Sequence, residues 1–169
     1  IKAREIDEAV KWGATNNVEC VVVVPDGPLA RGVVDMRAEK GIPAFVPSTD
    51  AGQIEDRKAF AKDLMRKYGI PTAGYGVVDV IGGARAALDA QETWPVVLKA
   101  DGLALGKGVS ICQNRADAEM ALCAMMEDKV FGGGGSRGVI EEYLTGPEVS
   151  GLAVWEGETG GRKGSRMEP

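Results

Sequence analysis

Lys99 and Lys107 stand eight positions apart around a nearly bare stretch of backbone, Lys99-Ala100-Asp101-Gly102-Leu103-Ala104-Leu105-Gly106-Lys107-Gly108-Val109. A phosphate chain needs cations and close N–H donors, and glycine lets backbone N–H groups approach it without an intervening Cβ. Lys99 ends the apolar run Val96-Val97-Leu98, so its ammonium would rise from a strand, whereas Lys107 sits inside the loop and would close over the phosphates. The segment is not a Walker loop: Gly108 rather than Ser or Thr follows Lys107, and the chain continues into strand-like sequence. On composition alone a phosphate clamp and an ordinary hairpin with solvated lysines both remain open.

A second constellation is Val139-Ile140-Glu141-Glu142-Tyr143-Leu144-Thr145-Gly146-Pro147-Glu148. Backbone groups of such a strand would read an adenine edge, and the Glu148 carboxylate would accept both ribose hydroxyls. Taken alone, the segment reads better as an edge strand with solvated acids. A third is the helical stripe Lys58, Lys62 and Arg66, at i, i+4 and i+8. Such a stripe is ordinarily a helix's wet face.

The elements that must position these groups follow from periodicity. Ile6, Ala9, Val10 and Ala14 share a helical face. Residues 18–24 (VECVVVV) predict a buried parallel strand. A turn at 25–28 leads to a helix over 29–40 with Gly41 as its C′ residue, then a strand over 42–46. In an open α/β domain of this kind ligands bind at the strands' carboxyl ends, here residues 25–28 and 46–48. Thr49 or Asp50 would cap a helix running to Tyr68, with Ile54, Phe60, Ala61, Leu64 and Met65 as its apolar face. Strands over 75–80, 96–98, 109–112 and 138–144, and helices over 83–91 and 117–128, complete the pattern, with a further strand expected at 148–155. The fold class is therefore α/β in the first part and α+β in the second: the end of an open parallel domain, then a mixed region.

Composition bounds the function. The chain has 169 residues, 44% hydrophobic and 27% charged, as expected of a globular protein, and its net charge of −5 argues against general nucleic-acid binding. The absence of His excludes His-based triads and the usual zinc sites. Cys20, Cys112 and Cys123 have no metal-like spacing; Cys20 and Cys112 read as small core residues in a reducing, cytoplasmic setting. No run is long enough to span a membrane. The non-Met start and the polar, Gly-rich tail at 156–169 lead us to expect a fragment of a longer protein, with the tail lacking fixed structure.

These segments, in this order, resemble the ATP-grasp ligases, and among them the phosphoribosylamine–glycine ligases (glycinamide ribonucleotide synthetases). The run from Lys99 to Val109 matches that family's K-A-D-G-L-A-x-G-K-G-V at every fixed position. Ile54-Glu55-x-x-Lys58-Ala59-Phe60-Ala61-Lys62-Asp63, Gly69-Ile70-Pro71-Thr72-Ala73, Pro28-Leu29-x-x-Gly32-Val33-Val34-Asp35 and the hinge Ile140-Glu141-Glu142-Tyr143-Leu144-x-Gly146-x-Glu148-x-Ser150 support it. The resemblance implies residues 1–48 as the end of an N-terminal α/β substrate domain and 49–155 as an incomplete ATP-grasp domain. Within the latter it implies a linking helix at 49–72, a lid-like ATP subdomain at 73–142 and the start of a larger subdomain at 143–155.

The resemblance also implies a reaction: ATP phosphorylates glycine, and the amine of phosphoribosylamine attacks the acyl phosphate. Lys58 and Lys99 would contact the phosphates under a loop running through Asp101, Gly102, Gly106, Lys107 and Gly108. Glu141, Glu142, Tyr143 and Leu144 would hold adenine, with Glu148 on the ribose. Pro25, Asp26, Pro28 and Leu29 would face the other substrate. ATP would come with Mg2+ (or Mn2+), whose protein ligands in this family lie beyond the matching segment, so no metal ligand is expected here. The chain departs from the family pattern at Val24 and Val46, where the family has Gly, and at Asp56-Arg57, where it has Gly-Ser. With those departures, and with the magnesium ligands and an N-terminal glycine-rich segment unmatched, the chain alone is not expected to complete the reaction. Another ATP-grasp carboxylate–amine ligase, or a degenerate nucleotide-binding module, is the alternative.

Overall fold

The computed structural model of the chain describes residues 1, 2, 5–104 and 107–151. The elements run α1 (Ile6–Thr15), α2 (Asp26–Ala30), α3 (Val33–Ala38), α4 (Thr49–Asp56), α5 (Lys58–Tyr68), β1 (Tyr75–Val78), α6 (Ile81–Asp89), β2 (Val96–Ala100), β3 (Val109–Cys112), α7 (Arg115–Leu122) and β4 (Gly138–Glu142). A π-helical turn, Cys123–Glu127, prolongs α7, and a 3-10 turn, Gly132–Gly135, precedes β4.

The four strands form one antiparallel sheet in the order β1-β4-β2-β3. Residue pairs such as Leu98–Ile140 and Val96–Cys112 share the face that meets α6 and α7. There Leu88, Leu122, Ala84 and Ala118 pack on Val96, Leu98, Ala100 and Ile140 to make the core. The opposite face carries Val97, Lys99, Val109, Ile111, Val139 and Glu141, as the pairs Val97–Glu141, Lys99–Val139 and Lys99–Val109 require. Outside the sheet, Arg85 and Arg115 bridge Asp89, Glu119 and Glu127 and tie α6 to α7.

Local chemistry sets the helix ends. Ser48 Oγ accepts from the N–H of Ala51 and starts α4, and Asn114 Oδ1 accepts from the N–H groups of Ala116 and Asp117 and starts α7. Gly69, at φ +67, ends α5 in the left-handed conformation, and the N–H of Ile70 bonds to Met65 O. The helix expected over 49–68 is broken at Arg57, whose extended backbone (φ −130, ψ 103) lets the N–H of Lys58 reach Asp101 O at 3.0 Å. The helix expected over 29–40 is likewise two pieces, separated by Gly32 at φ +78.

Several other expectations are corrected. The strands expected at 18–24 and 42–46 reduce to one parallel bridge, Val21 to Ala44, and Val24 is 82% exposed. A parallel strand needs neighbours to pair with and cover on both faces; among the described residues this segment pairs through that one bridge. Cys20 is exposed, whereas Cys112 is buried as expected. Ile54 and Phe60 face solvent, whereas Ala61 is buried as expected, and α5 buries Ala59 and Lys62 beside it. Residues 148–151 form no strand, and the remainder of that expected strand, with the tail at 156–169, lies outside the described residues.

Candidate functional site

The sheet face opposite the helical core gathers the charges. Glu141 sits in β4, the second strand of the sheet order, and is 5% exposed, so it is not the solvated acid of an edge strand. Its Oε2 accepts a hydrogen bond from Lys99 Nζ at 2.9 Å and forms an ion pair with Lys62 Nζ at 3.0 Å. Its Oε1 is buried and has no partner among the described residues. Lys62 is therefore not on a wet face: it turns in from α5 and also donates to Thr72 Oγ1 and Ala73 O. The Tyr75 ring lies 5.7 Å from the Lys62 ammonium and 5.3 Å from the Arg66 guanidinium.

Lys99 lies within β2 rather than at its end, and its side chain shares a sheet face with Val97 and, across the β2–β3 pair, with Val109 and Ile111. Those two are 46% and 53% exposed. An ammonium at the margin of a bare apolar strip suits a ligand with a flat apolar body and an anionic end. Sequence reading missed Val97, Val109 and Ile111 as candidate site residues, although the apolar residues at successive positions of Val96–Leu98 already mark a strand that presents apolar groups to both faces.

The start of the glycine loop is held tightly. Asp101 is buried; its Oδ1 accepts from the N–H of Ala59 at 2.6 Å, and its Oδ2 lies 3.7 Å from Arg57 Nη2. Lys58 Nζ donates to Gly102 O at 3.3 Å. A Cβ on Gly102 would come within 2.8 Å of Gly134 Cα, and one on Gly108 within 2.5 Å of Ala104 Cβ. These glycines are thus demanded by close packing of the loop on itself and on the Gly132–Gly135 turn. A cavity of about 340 Å³ opens between Arg57, Asp101, Gly102, Gly134 and Arg137.

The structure brings together Lys99 with Glu141, and Lys58 with Asp101 and Gly102. Lys107 is exposed, with no side-chain partner among the described residues, and Gly106 lies outside them. Glu142 accepts from the N–H of Gly74 at 3.0 Å. Tyr143, Leu144 and Glu148 are exposed, and Glu148 makes no hydrogen bond or ion pair among the described residues. In the first part of the chain, Pro25 and Pro28 line a cavity of about 250 Å³ with Val21, Val33 and Arg37. Asp26 opens α2, and Leu29 packs toward Gly52 of α4. Among the described residues no three His, Cys, Asp or Glu side chains converge as a metal site.

Comparison with known proteins identifies this arrangement. Residues 1–55 match "Phosphoribosylglycinamide synthetase, N domain", and residues 56–163 match "Phosphoribosylglycinamide synthetase, ATP-grasp (A) domain". A phosphoribosylamine–glycine ligase of Allochromatium vinosum is 45% identical over 157 residues, covering 93% of this chain and 36% of that protein. The crystal structure of the Thermotoga maritima phosphoribosylamine–glycine ligase is 33% identical, with a TM-score of 0.57 over 62% of this chain and 26% of that one. Biotin carboxylase from Campylobacter jejuni, solved in complex with βγ-ATP, shares the fold at 21% identity, with a TM-score of 0.70 over 83% of this chain and 32% of that one. The chain thus spans little more than a third of the curated relatives it matches, 36% of one and 38% of another. With residues 56–163 matched to the ATP-grasp domain and 1–55 to the domain before it, the chain belongs to the phosphoribosylglycinamide synthetase family.

Proposed function

We propose that this chain carries the first part of the nucleotide site of a phosphoribosylamine–glycine ligase. The observation that carries the reading is the Lys99 ammonium, held by buried Glu141 at the margin of a strip made by half-buried Val97 and exposed Val109 and Ile111. The adenine base would lie on that strip, with backbone groups of Glu141, Glu142, Tyr143 and Leu144 along its edge and Glu148 on the ribose. Lys99 and Lys58 would meet the phosphates. The loop through Asp101, Gly102, Gly106, Lys107 and Gly108 would cover them, with Lys107, exposed as it stands, swinging inward.

In the whole enzyme the γ-phosphoryl group passes from ATP to the glycine carboxylate, giving glycyl phosphate and ADP. The amine nitrogen of phosphoribosylamine then attacks the acyl carbon, phosphate leaves, and the nitrogen loses a proton to give glycinamide ribonucleotide. The residues described here would contribute positioning and charge neutralisation to the first step. Pro25, Asp26, Pro28 and Leu29 would border the substrate side, and glycine and phosphoribosylamine are the partners this reading requires. No step is assigned to a metal held by this chain. Among the described residues no helix is long and apolar enough to cross a membrane, which is compatible with a cytoplasmic enzyme.

The test is calorimetric titration of the 169-residue chain with ATP and with adenosine. ATP should bind more tightly than adenosine, and Lys99→Met should weaken ATP binding by about tenfold or more while leaving adenosine unchanged, as expected for loss of a charge-assisted contact. No ATP binding by the unaltered chain, or equal affinity in the Lys99→Met variant, overturns the reading.

A further inference from the structure

The two lysines on Glu141 are not equivalent. An ammonium has three donors. Lys62 donates to Thr72 Oγ1 at 2.8 Å and to Ala73 O at 3.4 Å, and lies 3.0 Å from Glu141 Oε2 in an ion pair. Among the described residues Lys99 has Glu141 alone, at 2.9 Å. The Lys62 side chain is 10% exposed and that of Lys99 28%. One cation is pinned between α5, the segment after it and the sheet; the other faces the open strip on a single bond.

A buried carboxylate left without a counter-ion is strongly destabilising. If Lys99 were the sole partner of Glu141, moving to a phosphate would strip a 95%-buried carboxylate of its charge balance, since that residue is only 5% exposed. With Lys62 in place it would not. We propose that Lys62 is the permanent counter-ion of Glu141, a positioning residue whose charge releases Lys99 to the triphosphate. This rests on the reading that Lys99 meets the phosphates. It adds a role for a lysine that, on sequence, looked like part of a solvated stripe.

The proposal predicts a pattern that a purely structural tie between α5 and the sheet would not give. In Lys62→Met, Glu141 keeps Lys99, and the ratio of ATP affinity to adenosine affinity should fall by about tenfold or more. In Lys62→Met combined with Glu141→Gln, no carboxylate charge remains to hold Lys99, and the ratio should recover to within about threefold of the unaltered chain. Lys62→Arg, which keeps the charge, should preserve most of it. Taking the ratio cancels any change at the base itself.

An unchanged ratio in Lys62→Met, or a double variant as weak as the single one, overturns the proposal. If Lys62→Met does not fold, the double variant, which buries no unbalanced charge, decides alone: a ratio near the original supports the proposal and a tenfold fall overturns it. The control is Lys99→Met. If it lowers the ratio and Lys62→Met does not, only the counter-ion role fails; if it does not, the assignment of Lys99 to the phosphates fails first.

Discussion

The Asp101 carboxylate caps a helix to which it does not belong: its Oδ1 accepts from the backbone N–H of Ala59, in the first turn of α5, at 2.6 Å across 42 residues of chain. Helix starts are ordinarily satisfied by the residue just before them. Arg57 supplies no such bond. Asp101 does so from the foot of the glycine loop, while its own carbonyl takes the N–H of Lys58.

Asp101→Ala should therefore lower stability by about 1.5–3 kcal/mol, the range for a hydrogen bond to a charged group. Urea unfolding should show it as a lower midpoint with an unchanged slope, and Asp101→Asn, which keeps an acceptor, should lose less. Equal stability of Asp101→Ala and the unaltered chain would show that water replaces the cap at no cost.

Two nearby glycines separate packing from composition. A Cβ on Gly102 meets Gly134 Cα at 2.8 Å, against backbone, whereas among the described residues one on Gly133 meets nothing within 4 Å. Gly102→Ala should cost about 1–3 kcal/mol through overpacking, and Gly133→Ala should stay within about 0.5 kcal/mol. Thermal melts of the two variants side by side check this.

The α6–α7 ion network should set part of the acid sensitivity. Hydrogen bonds from Arg115 and then Arg85 hold the Glu119 carboxyl at about 2, well below its ordinary 4.5. A carboxylate depressed on folding contributes stability that is fully present above its unfolded pKa and is lost as pH falls through the folded one. The window therefore runs from about 4.5 down to about 2. The three side chains are partly exposed, so solvent screening keeps the effect small. Glu119→Gln should be less stable than the unaltered chain at pH 6, and the gap should close toward pH 2. Denaturant midpoints across that range measure it; a gap that is constant or widens on acidification contradicts the assignment.

Ile111 distinguishes a ligand platform from a core. It is 53% exposed on the outermost strand of the sheet order. Ile111→Ser should change stability by less than about 0.5 kcal/mol. Removal of an apolar contact with a base should weaken ATP and adenosine alike by several fold, which sets it apart from Lys99→Met. Calorimetry with both ligands reads the difference.

Much of this was legible in the residues. Gly69 after Tyr68 and the apolar run at Val96 each announce a boundary through local chemistry, and the structure places a helix end and a strand there, whereas the helix expected from 117 starts at Arg115, behind an unanticipated Asn114 cap. The lysine–glycine run pointed to the segment that Lys58 and Asp101 now anchor. What stayed hidden depends on partners distant in the chain. Lys62 reads as solvated until β4 delivers Glu141 to it, and β4 reads as an edge until β1 and β2 flank it. Antiparallel order is not written in any local pattern. The valine run at 18–24 failed for the converse reason: strong β propensity does not make a strand without neighbours to pair with.

The trans cap also bears on how such a chain tolerates recombination. The two family segments meet between residues 55 and 56, a step before Arg57. A crossover placed there would exchange everything upstream yet leave α5 its lid, because the carboxylate that closes it arrives from the downstream side. The second module brings the cap of its own first helix with it, so what a foreign partner would have to supply at the seam is the end of α4, where Gln53 O takes the N–H of Arg57.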